Sequence, residues 1–452
     1  MTAKRRFWFG ALAALVGLAT ISYACGGGTS SADKTATASA GGAKTPAATT
    51  AATPAGSPAA LSGKLEIFSW WTTGGEAAGL QKLIDLYPKQ CGSGVNIVNS
   101  TVAGGGGAAA RQVLTTRMLG NDPPGSFQVH MGHELIDTWV TQNYMQPLDS
   151  LFTSQGWNNV FPKGVLDIVS YQGHPYSVPV NIHRANVLWY NKTVFTSNNL
   201  TPPTTFDEFF TVADSLKAKG ITPLALGDVE TFASVQLLET VLLGSLGAEG
   251  YNGLWTGATD WNGTKVTDAL NTYKKMLGYV NSDHSSLSWD QANDLVISGK
   301  AAMTVMGDWL EGDMKAKKFT DFGYMPSPGT AGMYDALSDT FGLPKSAPNQ
   351  AAVECWLKVV GSKAGQEAFN PLKGSICART DCDPSLFDAY LQSAIADWKK
   401  DTIVPSLAHG AAASQGWLTS VSDAVTAFVA DKDAATFQSR LAAACKDAKV
   451  CK

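Results

Sequence analysis

The chain of 452 residues lacks three features that would have pointed to a partner or a chemistry. It carries no basic block beyond its first few residues, and its net charge of -4 argues against a surface for nucleic acid. It has no Cys-x-x-Cys pair with histidine partners, so metal binding by its cysteines is disfavoured. After Ala24 it has no apolar run long enough to span a membrane. It also shows no internal repeat.

The composition that is present is that of an ordinary soluble globular protein. Apolar residues make up 44% of the chain, which is enough for a sizeable core. The length predicts about two to three domains, or one large unit with two lobes.

The N-terminus is typical of a secretory signal, which we assign to residues 1–24. Lys4-Arg5-Arg6 precedes an apolar run that ends at Ala24, directly before Cys25 and a series of glycines. A cysteine at this point resembles a bacterial lipobox, in which Cys25 would be lipidated, although Ser22 stands where a leucine is usual. The alternative is ordinary signal cleavage with a spare cysteine. Residues 25–62 are rich in Gly, Ala, Thr, Ser and Pro and predict a flexible tether.

Six further cysteines follow Cys25, and an even number in an exported chain favours disulfides. Six cysteines allow fifteen pairings. Short spacing favours the pairs Cys377–Cys382 and Cys445–Cys451, which would leave Cys91 with Cys355.

Strands and helices alternate through the first part of the chain, which predicts a parallel sheet. Glycines 104–107 follow the second predicted strand and enter a helix, but they lack the Gly-Lys-Ser/Thr ending of a phosphate-binding loop. We therefore expect them at the rim of a cleft. The predicted elements here are strands at 64–68, 95–98 and 127–130 and helices at 76–87, 108–119 and 134–142.

The stretch from Ser69 to Glu76 places two tryptophans and a carboxylate at the end of the first strand. Side chains alternate along extended backbone, so Trp70 and Trp71 cannot face the same way. One ring can anchor in the core while the other stands at the carboxyl end of the strand, where open α/β sheets place their ligands. The alternative is a core tryptophan pair with a helix-capping Glu76.

Six segments in a shared order make the chain resemble a known family from about Leu65 to Trp417. It resembles the extracytoplasmic solute-binding proteins of bacterial ABC importers, and specifically their glucose/mannose-binding branch. The segments are Phe68-Ser69-Trp70-Trp71, Phe127-Gln128-Val129-His130, residues 178–184 (VPVNIHR), Met306-Gly307-Asp308-Trp309, residues 337–345 (LSDTFGLPK) and residues 369–375 (FNPLKGS).

The resemblance implies an α/β fold of the type II periplasmic-binding-protein kind, with two lobes joined by crossing hinge segments. We expect one lobe at residues 63–180 plus 329–372 and the other at 181–328 plus 373–452. The segments at 175–183, 322–329 and 369–375 are expected to cross between them.

The resemblance also implies a sugar site without catalysis. The expected aromatic residues are Trp70, Trp71, Trp289 and Trp309, with Trp71 beneath the sugar. The expected polar residues are Glu76, Gln128, His130, His183, Asp339, Lys373 and His409. The turn before Glu76 varies in length within this family, and the six cysteines are not a pattern of the family. Gln128 and His130 lie two apart on one strand and so share a face, and we expect either both or neither to enter the site.

The expected function is therefore that of a lipid-anchored receptor outside the cytoplasmic membrane. It would capture a monosaccharide such as glucose, or mannose or galactose, and hand it to an ABC permease by hinge closure. We expect a monomer that needs no cofactor or metal and touches the membrane only through its lipid. The alternative is a secreted glycoside hydrolase that uses Glu76 and Asp339 as its carboxylate pair.

Overall fold

The computed structural model of the protein describes residues 60–451. The predicted signal at 1–24, the proposed lipidation site Cys25 and nearly all of the tether lie outside the described residues. Within 60–451, every helix is too short or too polar to cross a lipid bilayer.

The described chain contains strands of two to seven residues, numbered in chain order. They are β1 (Gly63–Ser69), β2 (Val95–Thr101), β3 (Ser126–His130), β4 (Ser170–Tyr171), β5 (His174–Pro175), β6 (Ser177–Pro179), β7 (His183–Arg184), β8 (Val187–Asn191), β9 (Thr222–Ala225), β10 (Ala301–Val305), β11 (Phe322–Pro326), β12 (Met333–Leu337), β13 (Asp339–Gly342) and β14 (Thr402–Pro405).

The helices between these strands are numbered in the same way. They are α1 (Gly74–Cys91), α2 (Ala108–Leu119), α3 (His133–Leu135), α4 (Asp149–Ser154), α5 (Lys163–Ile168), α6 (Lys192–Ser197), α7 (Phe206–Ala218), α8 (Phe232–Thr256), α9 (Thr264–Met276), α10 (Trp289–Ile297), α11 (Trp309–Ala316), α12 (Gln350–Gly361), α13 (Lys363–Lys373), α14 (Ala389–Lys400), α15 (Gln415–Asp431) and α16 (Ala434–Asp447).

The first large sheet has the strand order β2-β1-β3-β13-β6. Its strands β1, β2 and β3 run parallel, as the alternation of strands and helices predicts. β13 is antiparallel to both β3 and β6, and it joins them after the chain has passed through other elements. β3 and β13 are buried along their whole length, which suits strands at the centre of a sheet.

The second large sheet has the order β11-β8-β10-β9, and a small sheet has the order β14-β12-β7. β7 follows β6 of the first sheet and precedes β8 of the second. β12 follows β11 of the second sheet and precedes β13 of the first. Two of the three strands of the small sheet thus lie in segments that pass between the large sheets, and the predicted two-lobed α/β fold is confirmed. The residue boundaries of the lobes stay a prediction.

The expected crossing at 369–375 is mostly helical in the structure. α13 continues to Lys373 with Pro371 inside it, and it ends at Gly374, whose φ of 77° is the left-handed conformation that glycine adopts readily. Only after this cap does Ile376 pair with Ile182 in an isolated antiparallel bridge. Pro371 indicates a break when read alone, but the helix continues through it for two more residues.

The expected helix at 134–142 is also different in the structure. It consists of the single turn α3 and a five-residue π-helical turn, Ile136–Val140. By contrast, α7 begins as its sequence predicts, since Thr205 followed three residues later by Glu208 is a capping-box pattern. Thr205 accepts a hydrogen bond from the amide of Glu208, and the side chain of Glu208 accepts one from the amide of Thr205.

Three disulfides confirm the pairing expected from the sequence. Cys91 at the end of α1 is bonded to Cys355 in α12, across 264 residues of chain. The other two, Cys377–Cys382 and Cys445–Cys451, close loops with sequence separations of 5 and 6.

Candidate functional site

A cavity of about 250 Å³ opens where several strands of the two large sheets end. Trp70, Ala103 and His130 lie at or just after the carboxyl ends of β1, β2 and β3, which is where parallel sheets place ligands. Glu230 and Trp309 follow β9 and β10 from the other side. Nine of the eleven residues expected in the site line this cavity: Trp70, Glu76, His130, His183, Trp289, Trp309, Asp339, Lys373 and His409.

The two adjacent tryptophans divide between the cavity and the core. Trp70 lines the cavity, and its ring centre lies 5.0 Å from that of His130. Trp71 is 1% exposed and does not line the cavity. It packs against Phe341 and Phe369, with ring centres 5.7 Å and 5.0 Å away. The expectation that Trp71 lies beneath the ligand is therefore corrected, because backbone alternation turns it towards the core and leaves Trp70 at the surface of the cavity.

Gln128 is the other expected residue that the structure places behind the wall. Its amide nitrogen donates to Oδ1 of Asp339 at 2.7 Å, and its amide oxygen accepts from the backbone of Trp70 at 3.2 Å. The expectation that Gln128 and His130 enter the site together is wrong, because only His130 lines the cavity. Gln128 thus holds two cavity residues in place.

Asp339 lies at the centre of the polar wall. Its carboxylate accepts hydrogen bonds from Gln128 and from the side-chain amide of Asn181, the latter at 2.8 Å. Burial alone would raise the pKa of Asp339, but hydrogen bonding to His183 and the charge of Lys373 hold it well below its usual range. The group is therefore an anionic hydrogen-bond acceptor at neutral pH.

Lys373 provides the buried cation of the site. Its Nζ donates to Oε1 of Glu76 at 2.7 Å and lies 5.5 Å from the ring centre of Trp71 and 5.7 Å from that of Trp309. Burial raises the pKa of Glu76, and the charge and hydrogen bond of Lys373 oppose that rise. The C-terminal end of α13 thus carries a charged donor directly to the wall.

Two of the cavity histidines direct Nδ1 towards a carboxylate. His130 pairs with Glu134 at 2.8 Å, and His183 pairs with Asp308. Burial alone would lower the pKa of His183, but the charge of Asp308 raises it above its ordinary value. In the same way, burial would raise the pKa of Glu134, but the charges of His130 and Arg111 lower it. Because Nδ1 is engaged, Nε2 is the nitrogen that each ring can offer to neighbours.

Aromatic rings form the opposite wall. Trp289 is the first residue of α10, where Ser288 and Gln291 form a capping box that sets the direction of the helix. Trp309 is the first residue of α11, and its ring meets those of His183 and His409 edge-on, at centre distances of 5.3 Å and 5.1 Å. The helix starts therefore aim both rings into the cavity.

The chain is similar in sequence to a known family of proteins. Residues 71–367 match the family described as bacterial extracellular solute-binding protein. The chain belongs to this family.

Two related sequences agree with this family. One is an uncharacterized extracellular-binding protein of an ABC transporter from Pyrococcus horikoshii, 36% identical over 82% of this chain and 84% of the relative. The other is a probable sugar-binding periplasmic protein from Rhizobium meliloti, 33% identical over 80% of this chain and 88% of the relative.

The fold also matches that of solved structures. The bacterial solute receptor AcbH, described as having an exclusive preference for β-D-galactopyranose, superposes with a TM-score of 0.77. It covers 86% of this chain and 98% of its own, at 18% identity, so this likeness concerns the fold alone.

Several residues that line the cavity of this solute-binding protein were not predicted from the sequence. They are Thr72, Thr73, Ala103, Glu230, Phe232, Ser288, Asp290 and Leu337. Thr72 and Thr73 lie in the turn already singled out between Trp71 and Glu76, so their position was a usable signal. Glu230 and Phe232 stand at the start of a long apolar helix, where nothing in the local pattern distinguishes a cavity residue from a core residue.

The glycine loop lies at the rim, as expected, and Gly104, Gly105 and Gly106 line the cavity. A Cβ on Gly105 would come within 2.6 Å of the ring of Phe232 and 2.9 Å of that of Trp289. Glycine thus allows the backbone after β2 to touch aromatic residues of α8 and α10.

Proposed function

We propose that this protein is the sugar receptor of a bacterial ABC importer. The observation that carries the proposal is one cavity that combines aromatic faces with buried charged groups, at the carboxyl ends of strands from both large sheets. Sugars present C–H faces that pack on aromatic rings and hydroxyl groups that bond to charged residues. The binding-protein names of the two relatives support the same function.

The polar wall suits a neutral sugar because each hydroxyl group both donates and accepts. Asp339 and Glu76 are acceptors, Lys373 is a donor, and the histidines can act in either sense. Hydrogen bonds to charged groups contribute roughly 1.5–3 kcal/mol each, more than neutral ones.

The size of the cavity favours a monosaccharide such as glucose, or mannose or galactose, as the ligand. Its volume of about 250 Å³ lies below the range of roughly 300–1,000 Å³ that is usual for pockets holding drug-sized ligands.

We infer that binding works by closure about the small sheet. A sugar held by the β1–β3 side would recruit Trp289, Trp309 and His409 from the other side, and the closed form would dock on the permease. The sugar shifts this equilibrium only by its greater affinity for the closed form. Lipidation at Cys25 would keep the receptor, as a monomer, on the outer face of the membrane near the permease.

Titration calorimetry against a panel of mono- and disaccharides tests this proposal. We expect one sugar bound per chain and the sugar recovered unchanged. Absence of heat, and of any shift in melting temperature, with every sugar would refute the receptor function. Release of reducing sugar from oligosaccharides would instead support the hydrolase hypothesis, which the binding-protein relatives do not support.

A further inference from the structure

Behind the cavity wall, two carboxyl groups face each other where α8 meets the small sheet. Glu239 of α8 and Asp335 of β12 are fully buried, and burial and the nearby charge of Glu239 both raise the pKa of Asp335. Arg184, whose charge opposes this rise, is already paired with Asp397 at 2.7 Å and with Asp401 at 3.5 Å. Two buried carboxylates in contact cannot both be ionised without a large repulsion, so the pair holds a proton.

The hydrogen-bond donors around the two carboxyl groups show which of the two holds the proton. Oε2 of Glu239 accepts from the amides of Leu407 and Ala408 at 2.6 Å and 2.9 Å, and Oε1 accepts from the hydroxyl of Ser406 at 3.0 Å. By contrast, neither carboxyl oxygen of Asp335 accepts a hydrogen bond from a donor among residues 60–451. The carboxyl surrounded by donors is the better anion, so the proton lies on Asp335 and points to Glu239.

Ser406 connects this pair to the cavity. Its hydroxyl oxygen lies 2.9 Å from Nδ1 of His409, a residue that lines the cavity. A serine hydroxyl has one hydrogen, and an ionised Glu239 can only accept it. Ser406 must therefore accept a hydrogen bond from His409, which requires a proton on Nδ1.

We propose that Asp335 carries a proton donated to Glu239, and that Glu239 acts through Ser406 to keep the proton of His409 on Nδ1. Nε2 of His409 is then an acceptor available to a hydroxyl group of the ligand. Asp335, Glu239 and Ser406 are positioning residues, because none of them lines the cavity. Only the use of Nε2 by a sugar rests on the proposed function.

Burial raises the pKa of Glu239 to about 7, and the hydrogen bonds from Ala408, Ser406 and Leu407 oppose that rise. The hydroxyl of Tyr251 lies 3.4 Å from Glu239 and 3.1 Å from the carbonyl of Pro405, and burial raises its pKa well above the ordinary value, so it stays protonated. Burial, and then the nearby charge of His130, lower the pKa of His409 well below its ordinary value, although Asp339 opposes this. Burial and the charge of Glu239 raise the pKa of Asp335, against the effect of Arg184.

Nitrogen NMR of the ligand-free protein labelled with ¹⁵N-histidine tests the proposal. The sequence has six histidines, and loss of one signal set in His409→Gln assigns His409. We expect the wild-type imidazole to be neutral with its proton on Nδ1 near neutral pH. A proton on Nε2, or a doubly protonated ring, would overturn the proposal. Because no sugar is needed, this result is independent of whether the receptor function is correct.

Glu239→Gln tests the link through Ser406. The glutamine amide would donate to Ser406, whose hydroxyl would then donate to Nδ1, so the proton of His409 should move to Nε2. Asp335→Asn is the matched control, since its amide still donates to Glu239 and the tautomer should stay as in the wild type. An unchanged tautomer in folded Glu239→Gln contradicts the link. If Glu239→Gln does not fold, the tautomer of His409 in the wild-type protein still tests the proposal.

Infrared spectroscopy tests the proton on Asp335 directly. We expect a carboxylic-acid C=O band in the wild type near neutral pH that is missing from Asp335→Asn. Identical spectra for the two proteins in this region would overturn the shared proton.

Discussion

Adjacent residues in this site differ in function because the backbone turns their side chains in opposite directions. Alternation predicts that Trp70 and Trp71 face apart, but the pattern carries no information on which ring faces the core. That choice depends on the partners, and Phe341 and Phe369, which pack around Trp71, are distant in sequence. Gln128 is a similar case, because its carboxylate partner Asp339 joins β3 only through the return of the chain.

Alanine variants of the two tryptophans should separate binding from stability. Trp70→Ala should weaken sugar binding by about 1 kcal/mol, or roughly fivefold in Kd, because it removes a ring from the cavity. Trp71→Ala should instead lower the free energy of unfolding by about 3–5 kcal/mol, as expected for a buried ring. Calorimetry and urea denaturation of both variants measure these effects. A well-folded Trp71→Ala with the larger loss of affinity would contradict the assignment.

The acid stability of the protein should depend on Asp339. Its pKa is lowered in the folded state, so its contribution is complete above the unfolded value of about 3.9 and is lost as the pH falls below that value. The difference in unfolding free energy between wild type and Asp339→Asn should therefore shrink by up to about 1.4 kcal/mol per pH unit below about pH 4. Denaturation of both proteins over this range measures it, and a constant difference would argue against an ionised Asp339.

At the scale of elements, the sequence predicted those whose signal is local. The parallel strands β1 to β3, the capping box of α7 and the disulfide pairs all depend on short patterns or simple spacing. The end of α13 was missed because Pro371 breaks the local pattern, whereas the helix is held by its packing on α1. Glu230 and Phe232 were missed because only the tertiary fold brings α8 to the glycine loop.

The glycine loop should control contact between the two sides of the cavity. In Gly105→Ala, the added Cβ would lie 2.6 Å from Phe232, so we expect weaker sugar binding and a larger radius of gyration of the sugar complex. Gly164→Ala in α5 is the matched control, since its Cβ would meet nothing within 4 Å. Calorimetry and small-angle scattering of both variants are the measurements. Equal behaviour of the two would show that the loop does not limit closure.

The disulfides should differ in their effect on stability. Replacing Cys91 and Cys355 by serine opens a loop of 264 residues and should cost roughly 5 kcal/mol in the chain-entropy picture. Replacing Cys377 and Cys382, with a separation of 5, should cost only about 2 kcal/mol. Denaturation of both double variants tests this order, and the reverse order would contradict the entropic explanation.

At the scale of the whole molecule, the small sheet both connects the two large sheets and carries residues of the cavity wall. β7 and β12 carry the chain between the large sheets, and they lie beside residues that hold the cavity wall, such as His183 in β7 and Leu337 in β12. Movement about this sheet would therefore open or close the cavity without unfolding either side. The two-lobed fold was predictable because the quoted motifs occur in a shared order along the chain. The expected crossing at 322–329 was wrong, because Phe322–Pro326 pairs with β8 inside the second sheet and the chain crosses at β12 instead.

A crystal structure of the protein with its best-binding sugar tests the central claim most directly. We predict one sugar in the cavity, with a C–H face on Trp70 and hydroxyl groups bonded to Asp339 and Lys373. Sugar density outside this cavity, or a cavity left empty by a sugar that binds in solution, would contradict the claim.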